Sequence, residues 1–133
     1  MANANLLAIL VAAAAGFLVG GIWYGPLFGK AWMQEHKFTE ESLKNANMVK
    51  IYGLTFDFSV LSAVFLGHLL AFFDTDPRST MMISIGTALG FIIPAIGTNY
   101  LFSRASVKLF AIDAGYWTVF YAAMGLVFVL LGS

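Results

Sequence analysis

Four apolar stretches, each long enough to cross a lipid bilayer, constrain this chain more than any other feature of its sequence. They cover about residues 6–24, 51–73, 81–102 and 109–131. A transmembrane helix needs roughly 20 predominantly apolar residues. Only 11% of the 133 residues are charged, whereas a soluble domain carries roughly 25%. The sequence therefore predicts an all-α integral membrane protein with four transmembrane helices in a single membrane domain, residues 1–133.

The seven basic residues are divided unevenly between the two sides of the predicted bundle. Six of them flank the connections between spans one and two and between spans three and four, whereas Arg78 alone lies on the other side. Because basic connections are retained in the cytoplasm, we expect both termini outside and these two connections inside.

The connection between spans one and two, residues 25–49, is the only sizeable one. Gly25 and Pro26 are expected to stop span one. Thr39 precedes two glutamates, a pattern typical of an N-cap and an acidic first turn, and predicts a short helix over residues 39–48. The connection holds too few apolar residues for an independent domain. We therefore expect this helix to lie on the membrane surface, with Trp32 and Phe38 as anchors.

The third span contains a proline near its middle. Pro94 lacks the N–H that a helix requires and presses against the carbonyl group four residues back, which belongs to Gly90. Since glycine lets the backbone bend at little cost, we expect a kink between Gly90 and Pro94 at about mid-membrane.

Two parts of the sequence are similar to each other. When residues 16–31 are aligned without gaps to residues 90–105, six of the sixteen positions are identical, and Lys30 pairs with Arg104. Chance matching between spans rich in Gly, Phe and Leu would give roughly one or two identities. A true duplication is favoured over a chance match. The helices would then form two tandem hairpins of the same orientation, related by an axis along the membrane normal.

A set of aromatic, glycine and proline residues gives the chain a resemblance to a known family. The set consists of Trp23, Tyr24, Pro26, Phe28, Gly29 and Trp32, then Gly90, Phe91 and Pro94, then Asp113, Gly115, Tyr116, Met124 and Gly125. In this order it resembles the small four-span bacterial and fungal membrane proteins of domain-of-unknown-function family seventeen sixty-one. The resemblance covers nearly the whole chain. We expect a multi-pass protein of the bacterial inner (plasma) membrane, with an interfacial motif made of Trp23, Tyr24, Pro26, Phe28, Gly29 and Trp32. The resemblance implies a four-span fold. It implies no activity, so no catalytic residue can be carried over.

Two acidic residues lie inside the predicted spans at similar depths. Asp57 is in span two and Asp113 in span four, and an acid at the bilayer centre costs about 2.5–3.5 kcal/mol, so acids in spans normally face a partner or water. We therefore predict a cytoplasm-facing polar cluster in which at least one acid bonds a neighbouring side chain. Its candidate members are Asp57, Asn99, Tyr100, Arg104, Asp113 and Tyr116. The cluster is either a functional pocket or a set of internal bonds that fixes the helix register.

The composition argues against several classes of function. The chain has no cysteine, which excludes thiolate nucleophiles, disulfides and cysteine-based metal sites. Its formal net charge is zero and it has no basic tract, so nucleic acid is not an expected partner. We predict no metal site, no cofactor and no catalytic residue.

Three functions are compatible with these features. An oligomeric interaction, scaffold or accessory protein is favoured, because glycine-rich helix faces suit packing within and between subunits. Its expected partners are membrane lipid, further copies of the chain or another membrane protein. A small-solute, ion or proton transporter or channel is the alternative, supported by the kink and the acids. The almost wholly apolar outer half opposes it. An enzyme acting on lipid or isoprenoid substrates comes third, since no nucleophile–base pair is apparent.

Overall fold

The structure is a computed structural model that describes residues 5–133, so the first four residues of the predicted domain lie outside it. Helices make up the secondary structure of the described part, which contains no strand. They are α1 (Leu6–Leu27), α2 (Gly29–His36), α3 (Glu40–Lys44), α4 (Met48–Phe73), α5 (Pro77–Ser103) and α6 (Val107–Leu131). Helices α1, α4, α5 and α6 are long and apolar enough to cross a membrane, which confirms the predicted four-helix architecture.

Three of the long helices begin two to four residues before the predicted apolar stretches, because polar residues or proline start them. The side chain of Asn47 accepts a hydrogen bond from the Lys50 N–H at 3.1 Å and starts α4. Ser106 does the same for α6 through the Leu109 N–H at 3.0 Å. Pro77 occupies the first turn of α5 and follows Asp76. A hydrogen bond from the Ser79 side chain holds the pKa of the Asp76 carboxyl below its usual range.

The bundle has two ends that carry different connections. We call the end with residues 28–47 and 104–106 the basic side, because six of the seven lysines and arginines flank these connections. The opposite side carries residues 74–76 and the C-terminus. There the Asn5 amide donates a hydrogen bond to the Leu131 carbonyl at 2.8 Å, which joins the first helix to the last.

The four long helices pack in the order α4–α1–α6–α5. Helix α1 packs against α4 and α6, and α6 packs against α1 and α5. The contact between α4 and α5 is sparse and involves the half of α5 that follows the turn. The two central helices, α1 and α6, are therefore packed on both sides, whereas the two outer helices, α4 and α5, have few contacts with each other.

Small residues on α1 let α6 approach it closely. A Cβ atom on Gly16 would lie 2.5 Å from the ring of Phe120, which is 1% exposed. On the same face of α1, Gly20 lies against Tyr116, and Ala12 is fully buried. Towards the opposite side, the core is completed by buried apolar side chains, which include Ile9, Leu66, Leu70, Met124 and Phe128.

Two of the long helices contain a widened, π-helical turn. In α5 this turn covers Ala88–Ile92, and the Ile93 N–H bonds to the Ala88 carbonyl, five residues back. It lies directly before Pro94, where the sequence predicted the kink. In α1 the widened turn covers Trp23–Leu27 and includes Pro26. The expectation that Gly25 and Pro26 stop the first span is therefore wrong, because the wider turn accommodates the proline and the helix continues to Leu27.

The connection between α1 and α4 differs from the prediction of one surface helix over residues 39–48. It contains two short helices, of which α2 was not predicted and α3 ends at Lys44. Thr39 and Ser42 do form reciprocal hydrogen bonds between side chain and backbone, as an N-cap would. Residues after Lys44 belong to a turn and to α4, because Asn47 caps the long helix.

Candidate functional site: an aromatic cleft around Asp113

A large cleft lies in the half of the bundle nearest the basic side. Its volume is about 1010 Å³, and its walls come from α1, α2, α4, α5 and α6. Nine of its eighteen lining residues are Phe, Tyr or Trp, although these types make up only 16% of the chain. The aromatic side chains are therefore concentrated in the cleft.

The cleft is open along α4 and closed in depth by the core. Tyr52 and Phe58 of α4 line it and are still 56% and 65% exposed. On α6 the lining runs from Asp113 to Phe120. At 1.5 Å per residue these positions lie roughly 9 Å and 20 Å along the helix from Val107. The cleft thus reaches from the basic side to about the middle of the bundle.

Asp113 is the one acidic residue in the lining, and it is 6% exposed. Its Oδ1 atom accepts a hydrogen bond from the hydroxyl of Tyr24, and its Oδ2 atom accepts one from the hydroxyl of Tyr100. A buried carboxylate requires such partners. The two tyrosines come from α1 and α5, so Asp113 links three of the four long helices.

The widened turn of α1 positions Tyr24. The preceding residue, Trp23, donates a hydrogen bond from its indole Nε1 to the Ile112 carbonyl at 2.9 Å. Its ring lies so close to α6 that a Cβ atom on Gly115 would be 2.8 Å from it. The Phe28 ring packs against this indole, with ring centroids 4.7 Å apart. These contacts fix the turn against α6 immediately beside Asp113.

Gly29 lets the chain fold back from α1 into α2. A Cβ atom at this position would lie 2.5 Å from the Tyr24 carbonyl oxygen, so the backbone leaves no space for a larger residue. Helix α2 then places Trp32 against Tyr24, with ring centroids 5.9 Å apart, and His36 against Trp32 at 4.4 Å. Both α2 residues line the cleft.

A hydrogen bond from Ser106 to Glu35 joins the end of α2 to the start of α6. The Ser106 side chain also caps α6, so a single residue contacts both helices. Helix α2 therefore forms the wall of the cleft at its basic end.

Of the six residues in the predicted polar cluster, the structure brings three to the cleft. Tyr100 bonds Asp113, and Tyr116 lines the cleft with its ring centroid 5.1 Å from that of Tyr24. The other three, Asp57, Asn99 and Arg104, are exposed and do not line the cleft.

Helix geometry explains why Asp57, Asn99 and Arg104 lie outside the cleft. Asp57 lies two residues from Thr55, which lines the cleft, and two residues correspond to about 200° around a helix. Asn99 is next to Tyr100 and points about 100° away from it. Arg104 adopts the left-handed conformation, with φ of 59°, and ends α5. Asp113 thus bonds two tyrosines instead of Asn99 or Arg104.

The prediction did not include Tyr24 in the polar cluster, although Tyr24 is a direct partner of Asp113. It was assigned only to the interfacial motif. The sequence held one signal, namely that Tyr24 and Asp113 belong to two pieces of the same family resemblance. The structure brings these pieces together, since Trp23 and Tyr24 contact Ile112, Asp113 and Gly115.

Polar groups other than Asp113 are few in the cleft. Helix α4 contributes Thr55, Ser59 and Ser62, and α2 contributes His36. The Ser59 hydroxyl bonds the Thr55 carbonyl of its own helix at 3.1 Å. Within residues 5–133, no three His, Cys, Asp or Glu side chains lie close enough to hold a metal ion. The chemistry of the site is that of a mostly aromatic surface with one buried carboxylate.

The helix bundle and its cleft define the chain as a four-helix protein of the kind that can be embedded in a membrane. The comparison with protein families gives a more specific result. A family model described as "Protein of unknown function (DUF1761)" matches residues 7–129, and the chain belongs to this family. This confirms the resemblance seen in the sequence. No curated protein and no solved structure matches the chain.

Proposed function

We propose that this protein binds a small amphiphilic molecule in the aromatic cleft, and that it does so from within a membrane. The observation that carries the proposal is the cleft itself, about 1010 Å³ and lined largely by aromatic side chains around one buried carboxylate. Ligand sites in proteins typically measure roughly 300–1,000 Å³ and combine an apolar lining with a few polar groups. The cleft has this composition and lies at the upper end of this range.

The exposed α4 wall supports entry of the ligand from the side. Tyr52 and Phe58 lie both in the cleft and on the surface of an apolar helix. A molecule dissolved in the membrane would reach the cleft between α4 and α5, where the helix contacts are sparse. Its apolar part would contact the aromatic rings and its polar head would lie near Asp113.

Binding is better supported than conduction through the bundle. Beyond Phe120 the core contains tightly packed apolar residues such as Leu70, Met124 and Phe128, each at most 3% exposed. A channel or transporter needs polar groups on both sides of the midplane. The cleft therefore favours a protein that holds or presents its ligand on one side of the membrane. An enzyme has less support still, because the Ser59 hydroxyl in the lining bonds a backbone carbonyl and not a side-chain base.

The orientation that we propose is the one expected from the charges. The basic side would face the cytoplasm of a bacterial inner (plasma) membrane, and both termini would lie outside. The cleft would then open to the cytoplasmic leaflet.

Packing of two glycines that the repeat pairs supports the proposed duplication of the hairpin. Residues 50–54 resemble residues 108–112, and the same offset pairs Gly67 with Gly125. A Cβ atom on Gly67 of α4 would contact Ile9 of α1, and one on Gly125 of α6 would contact Ser84 of α5. The alignment that pairs residue 16 with residue 90 also pairs Ile9 with Ile83, the neighbour of Ser84.

The widened turns argue against the duplication, because Trp23–Leu27 and Ala88–Ile92 do not correspond in this alignment.

An interaction or scaffold function, with further copies or another membrane protein as partner, is the second candidate. It is favoured by Gly86 and Gly90 on α5, which are exposed and whose Cβ positions have no atom of another described helix within 4 Å. Glycines four residues apart allow close helix contact in membranes. Native mass spectrometry of the detergent-solubilised protein tests this candidate through the subunit number. A loss of oligomers in Gly86→Leu supports it, and a monomeric wild-type protein contradicts it.

The binding proposal can be tested with the neutral fluorescent amphiphile N-phenyl-1-naphthylamine. Trp32 and Trp117 line the cleft, so we expect saturable energy transfer from tryptophan to the bound probe. Gly21 lines the cleft and has open space at its Cβ position, so we expect Gly21→Leu to occupy part of the cleft. Gly53 on α4 also has open space but does not line the cleft, which makes Gly53→Leu the matched control. Equal transfer in all three proteins, after subtraction of protein-free micelles, would contradict the proposal.

A further inference from the structure

We infer that the cleft selects an organic cation, an amphiphile whose positively charged head lies at Asp113 among the aromatic rings. This inference rests on the proposed function, because it assigns a ligand class to the same cleft. It follows from three features: the charge of the lining, the bonding of Asp113 and the arrangement of the rings.

The first feature is the charge of the lining. Of the described residues that line the cleft, one is acidic, none is Lys or Arg, and one, His36 of α2, is a histidine. A ligand with a carboxylate or phosphate head would meet Asp113 in a low-dielectric site without a basic partner. Two like charges repel strongly in such surroundings. The lining therefore disfavours anionic ligands.

The second feature is the bonding of Asp113. Its two oxygens accept one hydrogen bond each, from the phenols of Tyr24 and Tyr100. An ionised carboxylate offers about four acceptor positions, so these bonds leave about half of them for a ligand. Neither tyrosine carries a positive charge, so nothing among these partners neutralises the acid. Ionisable groups at membrane depth normally pair with an opposite charge, and a ligand cation would supply it.

The third feature is the set of rings around the acid. The ring centroid of Tyr116 lies 5.1 Å from that of Tyr24 and 4.8 Å from that of Trp117, and the Trp32 centroid lies 5.9 Å from that of Tyr24. All four rings line the cleft. The faces of Trp and Tyr attract ammonium and similar cations within about 6 Å of the ring centroid. A cation at Asp113 would thus be paired with the carboxylate and surrounded by aromatic rings.

A purely structural role is the main competing explanation of Asp113. The carboxylate joins α1, α5 and α6, and this alone would keep it in place. The two explanations differ in what they predict for ligands of opposite charge and equal shape. If Asp113 only joins the helices, the cleft should bind cations and anions of equal shape equally well. If Asp113 binds the ligand, the cleft should prefer the cation.

The test compares tetraphenylphosphonium with tetraphenylborate, which have the same four phenyl rings and opposite charges. Each ion competes with N-phenyl-1-naphthylamine for the detergent-solubilised protein, and protein-free micelles correct for partition into detergent. We expect the wild-type protein to bind the cation with a Kd at least about tenfold lower than that of the anion. Asp113→Asn should remove most of this preference while it still binds the neutral probe. The control Asp57→Asn, an exposed acid outside the cleft, should leave the preference unchanged.

The outcomes separate this inference from the proposed function. If the neutral probe does not bind, the proposed function fails and the inference fails with it. If the probe binds but both ions compete equally, or the anion competes better, the cleft binds ligands without selecting cations and the inference is overturned. A melting curve shows whether Asp113→Asn folds. If it does not, the wild-type comparison decides, with Gly21→Leu to show that the cation binds in the cleft.

Discussion

The hydroxyl of Tyr24 donates a hydrogen bond to the carboxylate of Asp113, a residue 89 positions later in the chain. This bond connects the end of α1 to the first third of α6 and defines one end of the aromatic cleft. It also connects the first and the last piece of the family resemblance.

The first prediction concerns this bond. Tyr24→Phe removes one of the two donors to a buried carboxylate, so we expect a loss of about 1–3 kcal/mol of stability. The matched control is Tyr52→Phe, because Tyr52 lines the same cleft but is 56% exposed, and its effect should stay within about 0.5 kcal/mol. Thermal unfolding in detergent measures both. Equal melting temperatures for the two variants would show that the Tyr24 bond contributes little.

The second prediction concerns the contact between α1 and α6. Gly16→Ala places a methyl group against the fully buried ring of Phe120, and such overpacking costs typically 1–3 kcal/mol. Gly86→Ala is the control, because a Cβ atom there meets nothing within 4 Å. Alanine favours a helix over glycine by roughly 0.5–1 kcal/mol, so this variant should be neutral or more stable. Destabilisation of both variants to the same extent would contradict the packing described here.

The third prediction concerns Arg104, which the sequence assigned to the polar cluster. Its φ of 59° is left-handed and costs a residue with a side chain about 1–2 kcal/mol. We therefore expect Arg104→Gly to be more stable than Arg104→Ala by about 1 kcal/mol. If Arg104 instead neutralised a buried acid, both variants would be strongly destabilised relative to the wild-type protein, with the same difference between them. Unfolding of the three proteins in the same detergent distinguishes the two results.

The fourth prediction concerns topology. Thr39 is exposed on the basic side, and the chain has no native cysteine, so Thr39→Cys provides a single labelling site. In intact cells an impermeant thiol reagent should leave it unlabelled and should label it after the cells are opened. Ser133→Cys at the C-terminus is the control and should show the reverse accessibility. Labelling of Thr39→Cys in intact cells would reverse the proposed orientation.

Much of the fold could be predicted from the sequence, because an apolar segment long enough to cross a bilayer predicts a transmembrane helix. The starts of α4 and α6 were predicted too late, since their caps, Asn47 and Ser106, are polar and do not extend an apolar pattern. Helix α2 was not predicted, because it has only eight residues, and strong helix formers such as Lys30, Ala31 and Gln34 do not by themselves stabilise so short a helix. Contacts with distant parts of the chain, such as the bond between Glu35 and Ser106, hold it in place.

Less of the candidate site could be predicted. An acid within a span is visible in the sequence, and so Asp113 was identified. Its partners depend on the rotation of each helix about its axis, and Tyr24 lies in a widened turn that a regular helical period does not predict. The same uncertainty explains Asp57, which shares the depth of Asp113 but lies on the exposed face of α4. The depth of a residue in the membrane can be counted along the sequence. The direction in which its side chain points depends on the rotation of the helix, which is set by packing.

The widened turn in α1 also determines how the chain would respond to a change in its length. A π-helical turn contains about one residue more than an α-helical turn, so the residues on either side of Trp23–Leu27 are out of phase with a regular helix by about 100°. Deletion of Pro26 would let α1 continue as an ordinary helix. It would also rotate α2 and carry Trp32 and His36 away from the cleft. An exposed loop would tolerate a deletion of one residue. The same deletion in the widened turn of α1 would remove the α2 wall of the cleft.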